Sequence, residues 1–119
     1  MKSLALRVAV VVTFLLLAGC DQRSGTTAAD WSAWQGRWTG PEGTFLEIAQ
    51  EQDRYSVTIQ DLDGPSTFNG VAVADGIQFV RDGKTELIHA TDGPGTGMKW
   101  LQDKKNCLTV SPGEGFCRD

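Results

Sequence analysis

The chain has 119 residues, with 11 basic and 15 acidic side chains, a formal net charge of −4 and a hydrophobic content of 40%. That length holds a single domain. The acidic balance argues against nucleic acid as a partner, because nucleic acid calls for basic stripes, and against electrostatic docking on anionic lipid; it suits a cationic partner, and solubility equally explains it.

The first element is 1–19. Lys2 and Arg7 give a positive start, Val8 to Ala18 is apolar apart from Thr13, and Ala18 and Gly19 are small. These are the parts of a secretory signal helix. The apolar run is short of the roughly 20 residues a spanning helix needs. Leu17-Ala18-Gly19-Cys20 resembles the lipobox of bacterial lipoproteins, in small residues and in spacing. The resemblance implies that the Cys20 thiol receives a diacylglycerol, that signal peptide 1–19 is cleaved before it, and that the new amine is acylated, with chains of the palmitate type. Each buried CH₂ contributes about 0.8 kcal/mol, so one acyl chain binds reversibly and several hold a protein at the bilayer. The expected location is the bacterial cell envelope, lipid-anchored to the inner or outer membrane and facing the periplasm. Asp21 resembles an inner-membrane retention signal of some enteric bacteria and favours that side. Removing Lys2 and Arg7 leaves nine basic against fifteen acidic residues in the processed chain.

Residues 20–30 carry the lipidated cysteine and a polar, aperiodic stretch read as a flexible tether. Ten such residues span roughly 17–19 Å. Asp30 is placed to cap a short turn through Trp31 and Trp34 that stops at Gly36. The domain then occupies 31–119. Period-two alternation marks strands at Arg37–Thr39, Thr44–Gln50, Arg54–Gln60, Phe68–Val73, around Ile77 and Phe79, at Glu86–Ala90, at Met98–Trp100 and at Leu108–Val110. Asp63-Gly64, Asp75-Gly76 and Asp82-Gly83 supply the φ > 0 turn chemistry of tight hairpins. The expected fold is all-β: a small antiparallel up-and-down meander of about seven or eight strands, closed as a barrel or packed as a sandwich. Gly36-Arg37-Trp38, after a short turn and opening the first strand, resembles the G-x-W start of lipocalins and their calycin relatives. The resemblance implies an up-and-down barrel with the tryptophan plugging one end. The chain is short for a wide cavity, so a small, filled barrel is expected.

Cys107 and Cys117 remain as an even pair after lipidation and are expected to form a structural disulfide. They lack C-x-x-C spacing, and with the lone His89 they are too few for a thiolate metal site. His89 lies in a strand without a recognisable nucleophile or orienting acid. Asp61-Leu62-Asp63-Gly64 lacks the third acid and the closing glutamate of a calcium loop and reads as a turn. Asp92 to Gly97 is glycine-rich, but Pro94 removes a donor and no following helix makes it a phosphate loop. No catalytic residue, metal or cofactor is expected. The function expected is non-enzymatic binding of an envelope protein or a small ligand, by a lipid-anchored domain.

The tryptophans are the main binding candidates. Trp38 and Trp100 are expected in the core, and Trp31 and Trp34 lie between core and a surface that stacks sugars or peptides. Thr96-Gly97-Met98-Lys99-Trp100 resembles the S-G-x-[KR]-[YW] loop of inhibitors of C-type lysozyme, small β-barrel proteins that are often lipoproteins. That resemblance implies an alternative function, inhibition of a lytic enzyme, with Thr96 and Lys99 meeting an acidic active site. An early-strand cysteine and a downstream tryptophan-lysine-glycine segment of that family are absent here. The lipocalin resemblance implies a second alternative, a small-ligand carrier.

Overall fold

The structure is a computed structural model and describes residues 29–118. The expected signal peptide, the expected lipidation site Cys20 and the expected tether up to residue 28 lie outside the described residues. Eight strands follow one another around a closed barrel, each antiparallel to its neighbour. They are β1 (Gly36–Thr39), β2 (Phe45–Glu51), β3 (Arg54–Asp61), β4 (Gly64–Val73), β5 (Gly76–Arg81), β6 (Lys84–Thr91), β7 (Cys107–Ser111) and β8 (Glu114–Cys117). The up-and-down meander is the architecture the alternation predicts, and of the two expected forms it is the barrel, in which every strand has a neighbour on both sides.

Alternation fills the interior. Leu46 and Ile48, Tyr55, Val57 and Ile59, Ile77 and Phe79, Ile88, Leu108 and Val110, and Phe116 point inward around Trp38 and form one buried cluster. Register assigns the inner face of β4. Phe68 stands opposite Val57 and Gly70 opposite Tyr55. Paired residues share a face, so Phe68, Gly70 and Ala72 look inward and Val71 and Val73 look out; Val71 is 52% exposed.

Two sequence expectations are corrected, and one strand is added. Met98–Trp100 is not a strand: Lys99–Leu101 is a 3₁₀ turn within a long connection between β6 and β7. Its alternation finds no strand partner, because β6 pairs directly with β7. Trp100 is not in the core but 72% exposed. The eighth strand, Glu114–Cys117, carries a glycine and one large apolar side chain, too little for an alternation signal.

Of the three Asp-Gly pairs, Asp82-Gly83 alone forms a two-residue loop with both φ values positive. At Asp63-Gly64 and Asp75-Gly76 the loop lies one residue earlier and the glycine opens the next strand. Gly76 does so under a second constraint. A Cβ there would lie 1.9 Å from the Ile88 carbonyl oxygen, and its φ is +154°. Gly83, at φ +75°, has open space around it.

Asp30 holds the start of the plug. Its carboxylate accepts the Ser32 N–H at 2.9 Å, and that bond holds its pKa below the usual carboxylate value. Trp31 and Trp34 stack with centroids 4.4 Å apart and close the barrel end at which the chain arrives. The Trp31 indole donates to the Val73 carbonyl at 3.0 Å, its amide donates to the Tyr55 hydroxyl at 3.1 Å, and the Trp38 indole donates to the Trp34 carbonyl at 2.9 Å. The Arg118 guanidinium covers Trp38 at 3.8 Å from the ring centroid.

Cys107 and Cys117 form a disulfide, directly opposite each other across β7 and β8. Its loop is short, and on a chain-entropy model Cys107→Ser lowers unfolding free energy by about 2–3 kcal/mol. Urea denaturation measures this, and coincident curves for variant and wild type would contradict it. Gly76→Ala is expected to cost more than about 3 kcal/mol, since backbone must move to admit the methyl group. Gly83→Ala pays only torsional strain, about 1 kcal/mol. Equal losses in paired thermal melts would refute the assigned clash.

Candidate functional site

The barrel interior is packed with side chains, which leaves the outer surface to be searched. The connection from Asp92 to Asn106 is long, yet it is tied down throughout. Gly93 N–H donates to the Lys104 carbonyl at 2.9 Å, and Gly113 N–H donates to the Thr96 carbonyl at 2.9 Å. The Thr96 hydroxyl donates to the Gly93 carbonyl at 2.6 Å and accepts Met98 N–H at 3.0 Å. Asp92 accepts Gly95 N–H at 2.8 Å. Beneath the turn, Leu101 packs on the disulfide, with Met98 beside it. Gly115 admits the loop, since a Cβ there would stand 2.6 Å from Thr96. The glycine-rich run expected as a loop is therefore one, and a rigid one.

Two of its candidate residues face solvent and one does not. Trp100 and Lys99 are exposed, whereas Thr96 is fully buried with its hydroxyl committed to the loop. A buried hydroxyl does not reach a partner, so of the two contacts implied by the lysozyme-inhibitor resemblance only Lys99 is presented. Trp31 and Trp34 are half-buried against the core as the end plug. His89 is half-buried on β6, its Nδ1 3.4 Å from the Leu87 carbonyl oxygen. Asp61 accepts Asp63 N–H at 2.8 Å, which makes that segment a turn. Among the described residues, no group of three or more His, Cys, Asp or Glu side chains is disposed to hold a metal ion.

Two features were not legible in the sequence. The first is a charged cluster at the barrel end opposite the tryptophan plug. Arg81, on the inner face of β5, reaches across to Glu114 on β8 with two bonds of 2.8 Å. The same guanidinium bonds Glu86 on β6 at 3.0 Å. Ser111 donates to Glu114 at 3.0 Å. The paired guanidinium holds the Glu114 carboxyl below its ordinary value against the opposing effect of burial, and Glu114 pushes Arg81 higher still. Arg81 and Glu114 are 33 residues apart in sequence, so only barrel closure brings them together.

The second feature is a split in the wall. β4 pairs with β3 from Gly64 to Gly70 but with β5 only at Val71, Ala72 and Val73. Past Val71 the ladder stops, and a cleft of about 450 Å³ lies over the unpaired stretch. Phe68 and Phe79, with ring centroids 5.1 Å apart, form its floor. Asn69, Val71, Gln78 and Val80 form its lips, and Val80 is 60% exposed. On its other side the β5–β6 hairpin joins β7 only through His89 to Thr91. The hairpin is thus rooted at its base and latched at its tip by Arg81.

No protein-family model matches the chain, and neither a curated protein nor a solved structure matches it.

The latch has a pH signature. A carboxyl with a depressed folded pKa stabilises the fold above its ordinary value of 4.5, and that stability is lost as pH falls through the folded value. Glu114→Gln is expected to cost about 1–2 kcal/mol near neutral pH, from loss of a bidentate charge-assisted pair. The gap to wild type closes as the solution is acidified below 4.5. Melting temperatures of both proteins across an acid series measure it, and a gap independent of pH would refute the assignment.

Proposed function

We propose that the chain is a membrane-anchored, non-enzymatic envelope lipoprotein whose barrel binds a protein partner through the surface centred on Trp100 and Lys99. The observation that carries the partner surface is the exposure of Trp100 on a loop whose other large apolar residues, Met98 and Leu101, pack inward. A tryptophan on a rigid platform loses little conformational freedom on binding, and such residues supply much of the affinity of protein interfaces. The adjacent Lys99 adds a positive charge to a chain that is otherwise acidic.

The anchor rests on the positive start, the apolar run and the small residues before Cys20. The chain enters the barrel at the tryptophan plug, so a lipidated Cys20 turns that end to the bilayer and the Arg81 cluster away from it. The disulfide suits an oxidising compartment such as the periplasm. A filled interior weighs against the small-ligand carrier, and the buried Thr96 weighs against the lysozyme inhibitor.

Metabolic labelling with an alkyne fatty acid tests the anchor: label is expected in wild type and absent from Cys20→Ser. Label in both, or in neither, would overturn it. A photo-reactive residue in place of the exposed Asp103, on the same connection, is expected to give one dominant protein adduct in cells, lost in Trp100→Ala. That variant should keep its stability within about 0.5 kcal/mol, because the indole is exposed. An adduct indifferent to Trp100 would overturn the surface. A melting temperature raised by added C-type lysozyme would select the inhibitor function instead.

A further inference from the structure

The wall cleft is separate from the Trp100 loop, and its edge is guarded only at its ends. Exposed edges in soluble proteins carry charges, proline, bulges or a covering segment to prevent pairing with foreign strands, and here Pro65 and Arg81 flank a stretch that has none of these. β4 is the longest strand of the barrel, ten residues. From Gly64 to Ala74 it and its turn contain no charged residue, the longest such run among the described residues. Its side toward β5 has no strand partner from Gly64 to Gly70. β5 is likewise without a β4 partner from Phe79 to Arg81. Among the described residues no other backbone hydrogen bond covers either stretch. Pro65 sits at the far tip of the open edge, the position in a sheet where a missing N–H is tolerated.

We propose that this cleft is a strand-addition site, which binds an extended, uncharged peptide segment of another protein along the free edge of β4. Unpaired main-chain donors and acceptors on the lips are matched by another extended backbone, whose groups recur at the same spacing. Side chains then set the preference. Inward-facing residues of the peptide meet the Phe68–Phe79 floor, and alternate outward ones meet Val71 and Val80. Asn69 and Gln78 offer amide hydrogen bonds, and no charged side chain lines the cleft. The segment it fits is therefore apolar at alternate positions, with β-branched or small polar residues between.

A second copy of the chain fits less well. The edge is recessed between β4 and the β5–β6 hairpin, so two whole barrels meet there only if both hairpins move. One extended segment needs only the one hairpin to give way. The hairpin's short ladders, three residues to each neighbour, let it give way around the added strand while Arg81 keeps its tip in place.

The test uses the full chain in detergent micelles and a capped hexapeptide of alternating threonine and valine. Titration is expected to shift the amide resonances of Ser66 to Asn69 and of Phe79 and Val80, and to slow their hydrogen exchange. N-methylating every second amide, in the two alternating patterns, is expected to weaken binding at least tenfold in one pattern, because one edge of a strand carries the bonds to β4. The double variant V71D/V80D should keep its melting temperature and lose binding at least tenfold. Three results would overturn the proposal: equal affinity of all three peptides, shifts confined to other residues, or the same amides shifting with protein concentration alone, which would make the occupant a second copy. None of these readouts depends on Cys20 or Trp100, so failure here leaves the envelope function standing, and failure there leaves the cleft.

Discussion

The barrel is closed by its weakest seam. β1 and β8 are the shortest strands, and the register between them contains one pair, Thr39 with Cys117. A ladder that small does not hold two edges together against chain entropy. Three other interactions do. Thr39 donates its hydroxyl to the Cys117 carbonyl at 3.3 Å. The disulfide clamps Cys117 to β7, and hence to the rest of the sheet. Arg118, the next residue, donates to the Gln35 carbonyl at 3.0 Å and to the Ala33 carbonyl while its guanidinium lies on Trp38. The seam is thus held by residues at both ends of the described chain. Trp38 belongs to the core and to the clasp at once, which gives the Gly36-Arg37-Trp38 sequence a physical role whatever its kinship.

Once the seam is closed, eight short strands enclose little volume, and ordinary apolar side chains fill it. That limits where a partner has room to bind. A filled barrel has only its ends, its loops and any break in its wall to offer. One end is occupied by Trp31 and Trp34, the other by the Arg81 cluster. What remains is a loop that projects an indole and a wall where pairing stops. The two surfaces differ in physical character. The loop is cross-tied and presents one large side chain, which suits selection by shape. The cleft presents backbone, which suits selection by conformation.

Most of the strand order was legible because inward and outward positions alternate so plainly in β2, β3 and β5. Turn positions were legible to within a residue. The misreadings have specific causes. Met98-Lys99-Trp100 alternates like a strand, but alternation reports a pattern and not a partner, and β6 pairs directly with β7. Trp100 was expected inside because indoles usually are; nothing local says that its turn lies outside β7. Val71 and Val73 share a face of β4, and the pairing of Phe68 with Val57 and of Gly70 with Tyr55 turns that face outward. Thr96 looked like a contact residue, and only the fold shows its hydroxyl holding the loop together. The Arg81 cluster and the cleft depend on barrel closure and on where ladders end. Neither property has a sequence signature.

The latch and the cleft explain each other. With three-residue ladders on both flanks, the outer half of the β5–β6 hairpin would fray outward if nothing restrained its tip. Phe79 and Ile88 would then meet water. Arg81 prevents this by reaching over the barrel mouth rather than along the wall, and its largely screened surroundings make the pair with Glu114 stronger than a surface ion pair. A ladder to β4 in the same place would have held the hairpin as well, and would have sealed the cleft. An ion pair at the tip holds the hairpin and leaves the edge of β4 free. The wall therefore stays split without loosening the core beneath it, which is the condition a strand-addition site has to meet.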